Sequence, residues 1–348
     1  MKVYLEKKVE AEFRLPLKRQ RRYHSFGKNQ IVRETLPIDI QKPHGRSDRP
    51  SQASHASNRN ERQGDPEYPV EELWIELAGG RMRYLKAGSG RALILVHGLM
   101  GYAFSWRFTM PALAPYATVY AIDNLGAGLS IAPEDMDCCM RATAERVLQF
   151  VDAMGIGEFD LLGTSHGGGV AIMTAALCAE RGDRRLGRLI LVAPVNPWSP
   201  HGKQLAPFLA SPLGSIVFRN TIERWRSLDY LWLRRLFGDG EKIPSDSLAG
   251  YRIPVLKNQG FRHAAHILKS WTADLAELEA TLPKIRDYPT LLVWGTEDRA
   301  VHFSSAEPLR RNFRNVRLVA FPGIGHLPYE EAADEFNRTL IEFLTAPR

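Results

Sequence analysis

From about residue 72 to the end of the chain, short apolar runs alternate with amphipathic stretches. Leu73 to Leu77 and Met82 to Leu85 read as two strands of a hairpin around Gly79-Gly80, and Ala92 to Val96 as a continuous apolar strand. Further strands are expected at Thr118 to Ile122, Phe159 to Leu162, Leu189 to Val192, Thr290 to Trp294 and Arg317 to Phe321. Ala142 to Met154 and Glu331 to Leu344 carry the 3.6-residue spacing of helices packed on one face. Strands so separated need crossover connections, and apolar runs without alternation fit strands covered on both faces. The pattern therefore predicts an α/β fold: a mostly parallel central sheet with an antiparallel start and helices on both faces.

The rhythm lapses between Pro194 and about Lys284, where helical patterns continue without a clear strand. A structureless loop of that length is implausible in a compact domain, so the stretch reads as an inserted helical cap. The resulting division is a leader over 1–66, an α/β core over 67–194 and 285–348, and a cap over 195–284. The cap holds four of the seven tryptophans, Trp198, Trp225, Trp232 and Trp271, with Phe208, Phe218, Tyr230, Phe237, Tyr251 and Phe261. Such aromatics build a cap's own core, and some are expected to line an apolar pocket beneath it.

Composition excludes several classes. Apolar residues are 44% and charged residues 24% of 348, with only three cysteines, so collagenous, wholly disordered and disulfide-stapled chains are ruled out. Cys138 and Cys139 are adjacent, Cys178 sits alone in an apolar helix, and no metal spacing is legible. This usage suits a reducing, cytoplasmic setting. No apolar run is long enough for a membrane span. The net charge of +7 resides in residues 1–65, which hold 15 Lys and Arg against 8 Asp and Glu, leaving the remainder formally neutral. The folded body is therefore not expected to bind nucleic acid. The leader is basic, interrupted by acids that spoil a secretory signal, and rich in Ser, Asn, Gln and Pro over 41–66, so it is expected to be disordered. Arg219, Arg224, Arg226, Arg234 and Arg235 make one segment of the cap basic, a pattern expected of a solvated helix face.

The chemistry enters at Phe159-Asp160-Leu161-Leu162-Gly163-Thr164-Ser165-His166-Gly167-Gly168-Gly169, an apolar strand that passes through Gly-x-Ser-x-Gly into an apolar helix. A serine on such a sharp turn is presented at the carboxyl edge of the sheet, and the flanking glycines let neighbouring chains come close. A neutral hydroxyl is a poor nucleophile near pH 7, so Ser165 needs a base and the base an orienting acid. His326, in a glycine-flanked turn after the last expected strand, is the favoured base among ten histidines. Asp298 follows another strand through a Gly-containing turn; Glu297 beside it is the alternative acid.

These segments resemble the α/β-hydrolase superfamily, of the kind with a helical cap, over about residues 72–348. The match rests on Leu93-Ile94-Leu95-Val96-His97-Gly98-Leu99-Met100-Gly101, on Asp123-Asn124-Leu125-Gly126-Ala127-Gly128-Leu129-Ser130, on the turn around Ser165, and on the loops at Trp294-Gly295-Thr296-Glu297-Asp298 and Gly323-Ile324-Gly325-His326. The resemblance implies a nucleophile Ser165, a base His326 and an acid Asp298, in that family's chain order. It also implies an oxyanion hole from the backbone amides of His166 and Leu99, with Met100 the alternative to Leu99. His97 and Asp123 are expected to brace loops.

Such a set would attack a carbonyl carbon and pass through an acyl-enzyme, requiring neither metal nor organic cofactor. The resemblance implies a carboxylic-ester hydrolase acting on a small acyl substrate. Serine at 165, where the family's epoxide hydrolases and haloalkane dehalogenases carry aspartate, argues against those reactions. Carbon–carbon bond hydrolysis of ring-cleavage products is the nearest rival, although Leu99-Met100-Gly101 lacks the small residues associated with that oxyanion loop. Acyl transfer and a non-enzymatic small-molecule receptor are further alternatives on the same fold. Substrate size and oligomeric state are not legible.

Overall fold

The structure, a computed structural model, describes residues 32–33, 68–199, 208, 211, 213–214, 216, 226–256 and 258–347. Among these, eight strands follow the expected order: β2 Glu71–Leu77, β3 Gly80–Ala87, β4 Ala92–Val96, β5 Thr118–Ile122, β6 Phe159–Thr164, β7 Leu186–Val192, β8 Thr290–Gly295 and β9 Val316–Phe321. They are preceded by a two-residue β1, Val32–Arg33, and the sheet runs β1-β2-β3-β5-β4-β6-β7-β8-β9. The pairs from β5 through β9 are parallel, while β1 with β2, β2 with β3 and β3 with β5 are antiparallel. The expected α/β-hydrolase architecture is therefore present.

β1 departs from the expectation of an unstructured leader. Val32 lies opposite Trp74 and Arg33 opposite Leu73. Backbone pairing at a sheet edge requires no apolar period, so composition gives no sign of it. The rest of the leader, with its basic residues and polar linker, lies outside the described residues.

β4 illustrates why its run is continuously apolar. Ile94 and Val96 belong to one buried cluster and Leu93 and Leu95 to another, as period-2 alternation across a doubly covered sheet requires. α1 (Met140–Ala153) and α2 (His166–Arg181) supply Val147, Phe150, Val170 and Met173 to the first cluster. A Cβ on Gly169 would lie 2.8 Å from the Met140 sulfur, so the absence of a side chain there lets these helices close together. α6 (Ala333–Thr345) contributes Phe336 and Leu340 to the second cluster.

Between β7 and β8 the described residues form α3 (Arg226–Leu236), α4 (Ser247–Leu256) and α5 (Asn258–Thr281). They pack into the core without making a separate one: Leu233 and Phe237 join the second cluster, while Ile267, Trp271, Leu275 and Leu278 join the first. A boundary drawn at 284 thus follows the lapse in strands, while the packing runs through it. Trp225, Phe218, Arg219 and Arg224 lie outside the described residues. Arg234 and Arg235 are exposed, and the side chain of Arg226 lies outside the described residues.

Candidate active site

β6 delivers Ser165 at the carboxyl edge of the sheet with φ 53° and ψ −122°, a left-handed conformation that side chains with a Cβ avoid. The strain is held by hydrogen bonds on both sides. Ser165 N donates to Val192 O at 2.9 Å, and Ser165 O accepts from Gly168 N at 3.0 Å and Val195 N at 2.9 Å. Close approach explains the glycines: a Cβ on Gly163 would lie 2.1 Å from Gly167 O, and one on Gly167 2.3 Å from His97 O. Ser165 itself is half-buried.

The loop after β4 passes over the hydroxyl, since a Cβ on Gly98 would lie 3.6 Å from Ser165 Oγ. Gly101 N donates to Gly98 O at 3.0 Å, and Met100 closes this turn with φ 60°. Among the described residues, the amides of Leu99 and His166 donate to no other group outside the regular elements. His97 braces the loop: its Nδ1 faces Gly98 O at 2.8 Å while Asn124 N donates to its Nε2 at 3.1 Å. That network selects the neutral Nδ1–H tautomer. Burial lowers the pKa of His97, which accords with it. Asp123 accepts from Ala103 N at 2.7 Å, Leu129 N at 2.9 Å and the buried Arg83 guanidinium at 3.1 Å, as a loop brace does.

Asp298 and His326 meet directly, with 2.7 Å between Asp298 Oδ2 and His326 Nδ1. The other carboxylate oxygen accepts from Ala300 N at 2.8 Å and Val301 N at 2.9 Å, which fixes the acid's orientation. Both side chains are buried, whereas Glu297 is exposed. The pair follows β8 and β9; β8 lies two strands from β6, about 10 Å across the sheet. Among the described residues no hydrogen bond joins Ser165 Oγ to His326. Contacts between such groups are commonly long before substrate binds.

Two features leave no mark in the sequence pattern. The His166 ring is buried and stacks on Trp271 of α5 at 6.2 Å, so a helix inserted between β7 and β8 reaches the residue next to Ser165. Burial, then the neighbouring His97, push the His166 pKa down to about 3. The second feature is a pair of adjacent buried acids, Glu330 and Glu331. Glu330 receives Arg107 at 2.9 Å and Ser247 Oγ at 2.9 Å, and is also bonded by Tyr251 Oη. Glu331 binds backbone amides instead. At the start of a short helix such acids look like ordinary first-turn residues, and nothing in their spacing signals these partners. Among the described residues no cluster of His, Cys, Asp and Glu is suited to a metal, and no helix is long and apolar enough to cross a membrane.

A strained serine turn, a glycine loop above it and an acid–histidine pair on the same sheet edge are the features of a hydrolase of the α/β class. The family model described as the alpha/beta hydrolase family matches residues 93–339, and the chain belongs to that family. Haloalkane dehalogenase 2 of Mycobacterium tuberculosis is 29% identical over 80% of this chain and 96% of its own length. The 2-hydroxymuconate semialdehyde hydrolase of a Pseudomonas species is 27% identical over 82% of this chain and 96% of its own. Among solved structures, a meta-cleavage product hydrolase covers 78% of this chain and 96% of its own at 26% identity, with a TM-score of 0.64.

Proposed function

We propose that the chain is a serine hydrolase that cleaves a carboxylic ester of a small, largely apolar substrate. The observation that carries this reading is the strained Ser165 turn on the same sheet edge as the 2.7 Å Asp298–His326 pair. Asp298 holds the Nδ1–H tautomer, leaving His326 Nε2 unprotonated as the base. Ser165 Oγ bonds to the carbonyl carbon while its proton passes to Nε2; the carbonyl oxygen becomes an oxyanion facing the amides of Leu99 and His166. Collapse of that intermediate breaks the bond to the alkoxy group, which leaves as an alcohol with the proton from His326. Water then repeats the sequence on the acyl-enzyme, releasing the acid and restoring Ser165. The cap, through Trp271 and its neighbours, selects the acyl group.

Serine at the turn favours acyl chemistry over the dehalogenation named for the mycobacterial relative, because a serine hydroxyl displacing halide from an alkyl carbon would leave a serine alkyl ether, which has no carbonyl for water to attack. Carbon–carbon hydrolysis is the second reading, favoured by the 2-hydroxymuconate semialdehyde hydrolase relative. Labelling the purified protein and Ser165→Ala with a fluorophosphonate, beside a series of acyl esters and a vinylogous ring-cleavage diketone, tests both. Labelling and ester turnover lost together in the variant support the ester reading; turnover of the diketone alone supports the second. A wild-type protein that neither labels nor turns over sinks both and leaves a receptor, to be sought by ligand-induced thermal shifts.

A further inference from the structure

We infer that Glu331 is a positioning residue that couples the cap to the base His326, an inference resting on the role proposed above for His326. Its carboxylate bridges two stretches of backbone far apart in sequence. Oε2 accepts from Gly325 N at 2.8 Å and from Gly238 N at 2.9 Å, and Oε1 accepts from Asp239 N at 2.9 Å. Gly325 immediately precedes His326; Gly238 and Asp239 follow α3 in the cap. The next amide, that of His326 itself, donates to Leu236 O at 2.6 Å. The two backbones touch: a Cβ on Gly325 would lie 2.4 Å from Leu236 O, and one on Gly238 2.1 Å from Gly323 O. The base is thus held by its side chain on the core, through Asp298, and by its backbone on the cap, through Leu236 and Glu331.

Two carboxylate oxygens suit three N–H donors, and no other common side chain of this size does. In Glu331→Gln the amide NH2 must face at least one backbone N–H, so the histidine loop and the end of α3 separate locally while Ser165, Asp298 and the glycine loop stay in place. Displacements of the order of 1 Å near reacting atoms slow chemistry by about 100-fold. Glu331→Gln is therefore expected to lower kcat and the rate of fluorophosphonate labelling by about 10- to 100-fold while KM moves less than about threefold.

The comparison variant is Asp160→Asn, which disturbs a buried carboxylate at the opposite end of β6, where Asp160 accepts from Arg188 N at 2.8 Å. The prediction is a loss of kcat in Glu331→Gln that Asp160→Asn lacks even when its melting temperature falls as far. Equal kcat losses at equal destabilisation, or an unchanged kcat in Glu331→Gln, would overturn the inference. If Glu331→Gln does not accumulate folded, Glu331→Asp carries the same test, with an intermediate kcat expected and wild-type kcat overturning it. Labelling of wild type but not of Ser165→Ala is checked first, so that failure of the serine reading is distinguishable from failure of this one.

Discussion

Strands β4, β5, β6 and β8 are buried at every position, whereas α3 in the cap leaves Tyr230 43%, Leu231 55% and Trp232 45% exposed. The sheet is held by contiguous apolar packing on two faces. The helices between β7 and β8 bury residues in the clusters on both faces, but α3 stays partly exposed and polar contacts add to the apolar attachment. Tyr102 Oη donates to Gly250 O at 3.0 Å, Arg107 Nε donates to Asp246 at 2.9 Å, and Tyr251 Oη lies 3.2 Å from Ser105 Oγ. Under the proposed function, chemistry falls to the carboxyl edge of the buried strands and substrate selection to the partly exposed helices between β7 and β8.

The sharpest way to break that division is Ser165→Ala. Turnover is expected to fall by about a million-fold with little change in melting temperature, measured by ester kinetics and thermal unfolding. A residual rate within tenfold of wild type would place the nucleophile elsewhere. Asp298→Asn should lower kcat about ten-thousand-fold by favouring the wrong His326 tautomer, with KM nearly unchanged. On the cap side, Arg107→Ala strips the buried Glu330 of its cation and should remove about 3–5 kcal/mol of stability. In that variant the acyl-chain profile should broaden while labelling of Ser165 persists; an unchanged profile would mean that these contacts do not shape the pocket.

The smallest effect concerns pH. Folding lowers the His166 pKa from 6.5 to about 3, so on acidification the unfolded chain takes up the proton first. This contribution leaves stability unaltered well above pH 6.5 and reduces it progressively as pH falls from 6.5 towards 3. His166→Phe should therefore show a shallower loss of stability over that interval in denaturant titrations. The buried His97 and His263, whose pKa values are also lowered by burial, retain part of the slope. Identical slopes would mean that His166 is protonated in the folded protein.

The strands and the Ser165, Asp298 and His326 loops were legible because each is local: an apolar run, a glycine turn, then one polar residue. The family resemblance already prefers Asp298 to Glu297, and the structure adds that Asp298 is buried against His326 while Glu297 is exposed. The partners of the His166 ring, Trp271, Glu330 and Glu331 were not legible, because each depends on residues far away in sequence. Glu331 shows the limit most clearly. Its ligands are backbone amides at 238, 239 and 325, and a backbone amide carries no residue type for sequence to display.

The left-handed φ of Ser165 has an evolutionary corollary. Conformations of this kind cost about 1–3 kcal/mol in residues with a Cβ, and glycine relieves most of it. Ser165→Gly is then expected to melt at a higher temperature than the wild type while losing all turnover. Laboratory selection for heat resistance alone would drift towards that substitution, so a library built to toughen this protein has to be screened for catalysis at every round.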